Sequence, residues 1–209
     1  MTSKITFIVG SPRKNRSCDF LINQAIEGLK SVSEDFTVNK IYISDFNISP
    51  CTGCDQCLRK PYECPLSKED DTKKLEDVIL DSVAIFIASP TYFGSVSSQI
   101  KVLIDRSRPW KMAGYKLKNI ILSPIVAVGL RNGPSGGVIT DLVNFGLIQG
   151  MIIVGAVGNP VMEGNIAVSS LQKYGMKEFL GKDENDELAG QIAKNQGVRV
   201  GELLLKMKI

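Results

Sequence analysis

A chain of 209 residues, with 44% hydrophobic and 22% charged side chains, has ordinary globular make-up and is long enough for one domain with some elaboration. Its net charge of +3 is small and evenly spread, which argues against nucleic acid or an anionic membrane as partner, and no apolar run reaches membrane-spanning length. Histidine is absent, which removes imidazole metal ligands and histidine-based triads and leaves any enzymatic chemistry to a cofactor.

Lys4–Val9 is β-branched or aromatic and almost continuously apolar, the pattern of a strand buried on both faces. This apolar run near the amino terminus is too short for the core of a signal peptide, so a cytoplasmic location is expected. Gly10-Ser-Pro-Arg-Lys-Asn-Arg-Ser17 breaks the run, and a helical stripe at Leu21, Ala25, Gly28, Leu29 and Val32 follows. Strand, short polar loop and helix together aim backbone N–H groups at one point, a ready anion site. Ser11, Arg13, Asn15 and Ser17 can add hydroxyl, guanidinium and amide donors to it. The loop has neither a Walker A ending nor a G-x-G-x-x-G turn, which favours a terminal phosphate monoester over a pyrophosphate. An ordinary turn with a helix cap is the alternative. Cys18, at the helix start, either donates toward the anion or is a small buried residue.

Residues 37–43 read as a second strand. Residues 44–67 show no period and carry four of the five cysteines, Cys51, Cys54, Cys57 and Cys64, the last followed by Pro65. The opening C-x₂-C-x₂-C and the Cys-Pro ending match an iron–sulfur pattern. A zinc ion on four thiolates is the main rival, although zinc sites usually come as two separated knuckles; unligated or disulfide-linked cysteines are the third reading. A loop this long in a compact protein is usually functional, and a metal centre would order it. Arg59 and Lys60 beside the cysteines can offset the charge of a centre or dock an acidic carrier, or are simply solvated.

A helix over 68–80 follows, with Glu69, Asp70 and Asp71 in its first turn, then a third strand over 82–88. Ser89-Pro90-Thr91-Tyr92-Phe93-Gly94-Ser95-Val96 leaves the carboxyl end of that strand, where open α/β sheets bind ligands. Tyr92 and Phe93 can line an aromatic ligand or close the core as lids. The next helix spans 97–106, and Trp110 just beyond it reads as surface packing. Residues 120–128 form the fourth strand, and the loop from Gly129 through Arg131 and Gly133 to Gly137 is again polar and glycine-rich. Residues 138–148 are apolar nearly all round, so a helix there needs cover on more than one side, such as a second subunit. A fifth strand over 151–157, an irregular edge flap over 158–181 and a last helix over 184–206, with Gln196 as a polar break in its stripe, complete the chain.

Five strand-then-helix units imply a doubly wound parallel α/β sheet. The order 2-1-3-4-5, flavodoxin-like, fits best and places a ligand where the loops after strands one and three meet. The expected organisation is a single domain over 1–209, with a cysteine-rich loop at 44–67 and a C-terminal flap and helix at 158–209.

Gly10-Ser-Pro-Arg-Lys-Asn15 before a helix resembles the phosphate loop of the NADPH-dependent FMN reductase family, and Ser89-Pro-Thr-Tyr-Phe-Gly94 resembles that family's flavin-ring loop. The cysteine run between the second strand and the next helix is similar to that of the iron–sulfur flavoproteins, a branch of the same superfamily. The resemblance covers most of residues 4–157. It implies FMN and one [4Fe–4S] cluster per subunit, with phosphate contacts from Ser11, Arg13, Ser17 and Cys18. It further implies ring contacts from Pro90, Thr91, Tyr92, Phe93 and Gly94, with Gly129, Arg131 and Gly133 nearby, and Cys51, Cys54, Cys57 and Cys64 as cluster ligands. No side chain is implied as catalytic acid or base. Homodimers or homotetramers are implied too, with a ferredoxin-like carrier or NAD(P)H as electron partner.

The chain departs from the family in two places: Cys18 stands where threonine is common, and residues 130–135 fit the third loop only approximately. The expected function is electron transfer between cluster and FMN. The alternatives are an NAD(P)H-dependent FMN or quinone reductase with structural zinc at the cysteines, and a non-enzymatic carrier or flavin-binding regulator.

Overall fold

The protein is described here by a computed structural model that covers residues 3–173, 178–181 and 184–208. Its elements are β1 (Lys4–Val9), α1 (Ser17–Val32), β2 (Thr37–Tyr42), α2 (Thr72–Leu80), β3 (Ala84–Pro90), α3 (Ser98–Arg106), α4 (Arg108–Met112), β4 (Ile121–Val128), α5 (Ser135–Gln149), β5 (Ile152–Ile153), β6 (Val168–Ser170) and α6 (Glu187–Met207). All strand pairs are parallel, in the expected order β2-β1-β3-β4-β5, with β6 also paired to β4.

The continuous apolar runs of β3 and β4 are buried at every position, and β1 is buried at all but Lys4. Helices therefore cover both faces, and the core lies in two layers. One layer packs α1 and α6 on Phe7 and Phe86, whose rings stack at 4.5 Å. There the helix backbones nearly touch: a Cβ on Gly28 would lie 1.9 Å from Lys194 O, and one on Gly197 would lie 2.0 Å from Ala25 O. The other layer places α2, α3, α4 and α5 on Ile8, Ile85, Ile87 and Val126.

Trp110 belongs to this second layer. It is 2% exposed, so the expectation of surface packing is corrected: Pro109 opens the short helix α4, which turns the indole into the core. The helix expected at 68–80 begins only at Thr72, because Asp70 and Asp71 are drawn into bonds with the preceding loop. The helix expected to need cover on more than one side buries Val138, Leu142 and Phe145 and exposes Leu147 and Ile148.

The expected fifth strand is split. β5 pairs with β4 only at Ile121–Leu122, and the chain then leaves the sheet and returns as β6 beside Val126–Val128. Pro124 lies in the gap and has no N–H to donate on that edge. The side chain of Gln196, fully buried on α6, fills the gap. Its amide donates to Pro124 O at 2.9 Å and Ser123 Oγ at 2.7 Å, and its oxygen accepts the Ala167 N–H at 2.7 Å. The polar break in the last helix is thus a side-chain substitute for missing ladder bonds, and the expected flap carries a strand. Gln196→Leu removes these bonds at similar volume and leaves Pro124 O and the Ala167 N–H unsatisfied. We expect a loss of about 2–4 kcal/mol in urea unfolding; an unchanged midpoint would contradict the assignment.

Candidate functional site

At the carboxyl edge of the sheet, the loops after β1 and β3 are bolted together. The Gly10 N–H donates to Ala88 O at 2.7 Å, Ser97 Oγ donates to Gly10 O at 2.7 Å, and the Ser97 N–H donates to Ser89 Oγ at 3.0 Å. In the first loop the buried Ser11 accepts the Arg13 N–H at 3.1 Å, and Asn15 is left-handed at φ 55°. The side chain of Arg16, the N-cap residue of α1, makes no capping bond, which suits the first-turn N–H groups to an anion. Cys18 in that turn is buried, and burial pushes its thiol up to about 12, with Arg13 pulling weakly down and Asp19 pushing up. It is a neutral S–H, a weak donor rather than a thiolate.

In the second loop the Thr91 N–H donates to Ala127 O at 2.8 Å, and Tyr92 and Ser95 exchange two backbone bonds. Phe93 and Gly94 between them both have positive φ, 48° and 85°. Glycine adopts this at no steric cost, whereas Phe93 is strained and projects fully into solvent. Asp141 of α5 holds the loop by accepting Ser95 Oγ at 2.6 Å and the Val96 N–H at 3.3 Å. Thr91 Oγ1 is buried without a hydrogen-bond partner, the kind of orphan a bound ligand would satisfy.

These loops enclose a cleft of about 440 Å³ lined by Ser11, Arg13, Asn15, Ser17, Cys18, Pro90, Thr91, Tyr92 and Gly129. Phe93, Gly94 and Gly133 line an adjoining hollow of about 500 Å³ that shares Thr91 and Gly129 with it. Arg131 lines neither. Its amide and guanidinium donate to Gln172 Oε1 and O at 3.1 and 3.0 Å, with Asp186 at 3.9 Å, and so tie the third loop to the C-terminal segment. That segment adds Leu171, Leu180, Gly181, Glu184 and Asn185 to the cleft, which the sequence reading did not anticipate. Glu184 lies before the last helix, not inside it as the expected range of 184–206 has it. The helix starts later, at Glu187, because Asp186 is the cap that accepts the Ala189 N–H at 3.3 Å. An aspartate three residues before that alanine was the signal available.

Beyond β2, the cysteine loop is built from short turns over Gln56–Leu58 and Pro65–Lys68, with Gly53, Asp55 and Tyr62 left-handed. All four cysteines are free thiols; Cys57 is buried, Cys64 half-buried, and Cys51 and Cys54 are exposed. Burial pushes the Cys57 thiol up, Arg108 pulls it down, and Cys64 and Cys51 push it up, so these three thiols share one electrostatic neighbourhood. Arg108 also bonds Asp55 at 2.7 Å. Cys54 and Cys64 line a hollow of about 580 Å³ together with Arg59, Lys60, Glu63 and Lys68. Among the described residues, no three Cys, Asp or Glu side chains are gathered closely enough to hold an ion. The donor set itself, four thiols on one loop, suits an iron–sulfur cluster or a tetrahedral zinc.

The ends of this loop meet at one buried ion pair. Arg106, at the end of α3, and Asp70 have side chains only 1% and 2% exposed, with Nη1 and Oδ2 2.6 Å apart. Arg106 also donates to Ser49 O at 2.6 Å and Ser67 Oγ at 3.3 Å, while Asp70 accepts the Ser49 and Thr72 N–H groups at 3.1 and 2.9 Å. Burial alone would raise the Asp70 carboxyl, but the bonds from Arg106, Thr72 and Ser49 outweigh it and hold it at about 2.

The description "NADPH-dependent FMN reductase" matches residues 3–161. An "Iron-sulfur flavoprotein" of Archaeoglobus fulgidus is 36% identical over 201 residues, covering 96% of this chain and 94% of its own length. A protein of the same description from Methanocaldococcus jannaschii is 30% identical over 205 residues, covering 98% and 99%. Among solved structures, a WrbA-like flavodoxin from Agrobacterium tumefaciens shares the fold, with a TM-score of 0.60, 14% identity and 99% of each chain covered.

The Asp70–Arg106 pair gives a pH test. A carboxyl held below its ordinary value of 3.8 stabilises the fold above about pH 4 and loses that contribution as pH falls toward 2. Asp70→Asn leaves Arg106 buried without its counter-charge, at a cost of about 3–5 kcal/mol at pH 7. The gap to the parent protein should narrow between pH 4 and 2.5 in urea unfolding; a constant gap would contradict the pair's role.

Proposed function

The chain belongs to the NADPH-dependent FMN reductase family, and from that premise we propose that it is an FMN-dependent oxidoreductase of the iron–sulfur type. In this reading electrons pass between a [4Fe–4S] cluster on the cysteine loop and FMN in the cleft. The observation that carries the proposal is the placement of α3. Its N-cap, Ser97, is bonded to both loops that form the cleft, and its last residue, Arg106, clamps the loop bearing the four thiols. A helix of nine residues is about 14 Å long, so one short rigid element spans from the cleft to the cysteine loop.

The residues divide the work by chemistry. The open N-terminus of α1, with Ser11, Arg13, Asn15 and Ser17, would hold the terminal phosphate, and Cys18 would add a weak neutral donor. Pro90 to Gly94 would frame the flavin ring, with Thr91 Oγ1 supplying an unmet hydrogen bond and Gly129 allowing close backbone approach. Gly133 lies beside them, and Arg131 supports the loop through Gln172. Cys51, Cys54, Cys57 and Cys64 would be the cluster ligands. When bound, the cluster supplies single-electron exchange and the flavin one- or two-electron exchange, which would connect a ferredoxin-like carrier with two-electron partners such as NAD(P)H.

No proton-transfer role falls to the protein, in keeping with a chain that contains no histidine. Exposed Leu147 and Ile148 on α5, with Phe93 at the cleft mouth, support a homodimer or homotetramer. Among the described residues no helix is long and apolar enough to cross a membrane, and thiolate ligation favours a reducing, cytoplasmic setting.

Iron, acid-labile sulfide, zinc and flavin should be measured on one anaerobic preparation. The expected result is about four iron and four sulfide per chain with about one FMN, and Cys54→Ala should lose iron and sulfide yet keep FMN. One zinc per chain without labile sulfide would overturn the cluster and leave a reductase with a structural metal.

A further inference from the structure

Beneath the first loop lies a buried polar group that the proposed function does not use. Asp19, in the first turn of α1, has a side chain 4% exposed. Its carboxylate accepts the Asn15 N–H at 2.9 Å, holding that residue in its left-handed turn, and accepts the Tyr42 hydroxyl at 2.9 and 3.1 Å. Lys40, from β2, forms an ion pair with the same carboxylate and donates to Asn23 Oδ1 at 2.7 Å. Two ammonium groups lie over the Tyr42 ring, Lys14 at 4.7 Å and Lys40 at 5.4 Å from its centre. Lys14 is itself paired with Asp45.

A carboxylate in the first turn is favoured by the helix dipole, but the same turn is the one offered to a phosphate dianion. Two anions at one helix end repel each other, and the repulsion grows where water is excluded. We propose that Asp19 is a positioning residue for the phosphate loop and that Lys40 cancels its charge. Lys40 thereby sets the preference of the cleft for a phosphorylated flavin over the unphosphorylated one. Asp19 gives the loop its shape through Asn15, and Lys40 lets that shape accept a dianion. This inference rests on the phosphate-site reading given above.

The test compares equilibrium binding of FMN and of riboflavin to the flavin-free full-length chain, followed by flavin fluorescence. The parent protein should prefer FMN. Lys40→Met should lose at least about tenfold in FMN affinity with riboflavin unchanged, and Lys40→Arg should keep the preference. Asp19→Asn removes the negative charge and should not weaken FMN relative to riboflavin, and Lys40→Met with Asp19→Asn should recover most of the lost preference. An unchanged FMN-to-riboflavin ratio in Lys40→Met, or no recovery in the double variant, would overturn the inference while the phosphate site stands. A parent protein without any preference for FMN would overturn the phosphate site and this inference with it.

Discussion

The Asp70–Arg106 ion pair is the constraint on which the functional edge of the molecule depends. Burying two opposite charges costs more than their attraction returns unless the remaining donors and acceptors are met. Here Asp70 Oδ2 accepts from Arg106 and Ser49, and Oδ1 accepts from Arg106 and Thr72. The two Nη groups of the guanidinium are shared among Asp70, Ser49 O and Ser67 Oγ, and the buried Nε is the one donor of the pair left without a partner among the described residues. Each of those partners flanks the cysteine loop, on one side at Ser49 and on the other at Ser67, Asp70 and Thr72. The pair therefore closes a long irregular segment at its base and leaves the thiol-bearing part free to wrap a centre.

The same helix links this base to the cleft. Ser97 caps α3 and is bonded to Gly10 and Ser89, so the loops after β1 and β3 and the cysteine loop share one rigid support. Asp141 from α5 fixes the turn at Phe93 and Gly94 from the opposite side. A ligand entering the cleft meets preformed walls and an orphan hydroxyl at Thr91, rather than loops that must first be ordered.

Much of this was legible in the sequence because it is local. The largely apolar runs at Lys4–Val9, 82–88 and 120–128 are what central parallel strands require. Strand–loop–helix units at Gly10 and Ser89 mark the loops that line the cleft at the sheet edge, and the cysteine spacing marks the irregular loop of short turns that follows β2. What escaped depends partly on partners far apart in the chain and partly on where a helix starts. Gln196 read as a flaw in a stripe because nothing local shows that it completes the edge of β4 at Pro124. Arg106 was merely the end of a helix, since its partner Asp70 lies thirty-six residues earlier. Trp110 looked superficial because Pro109 hides the turn that buries it. Glu184 and Asn185 were assigned to a helix that a capping aspartate delays.

Hydrogen exchange on the metal-free protein tests the central claim, that the cysteine loop is closed at its base before any centre binds. The amides of Asn47, Ser49 and Asp71, each hydrogen-bonded across the loop base, should exchange slowly, like those of α3. The amides around Cys51 and Cys54 should exchange quickly and slow down only after reconstitution with iron and sulfide. Exchange of the base amides as fast as the exposed cysteine turns would contradict the account.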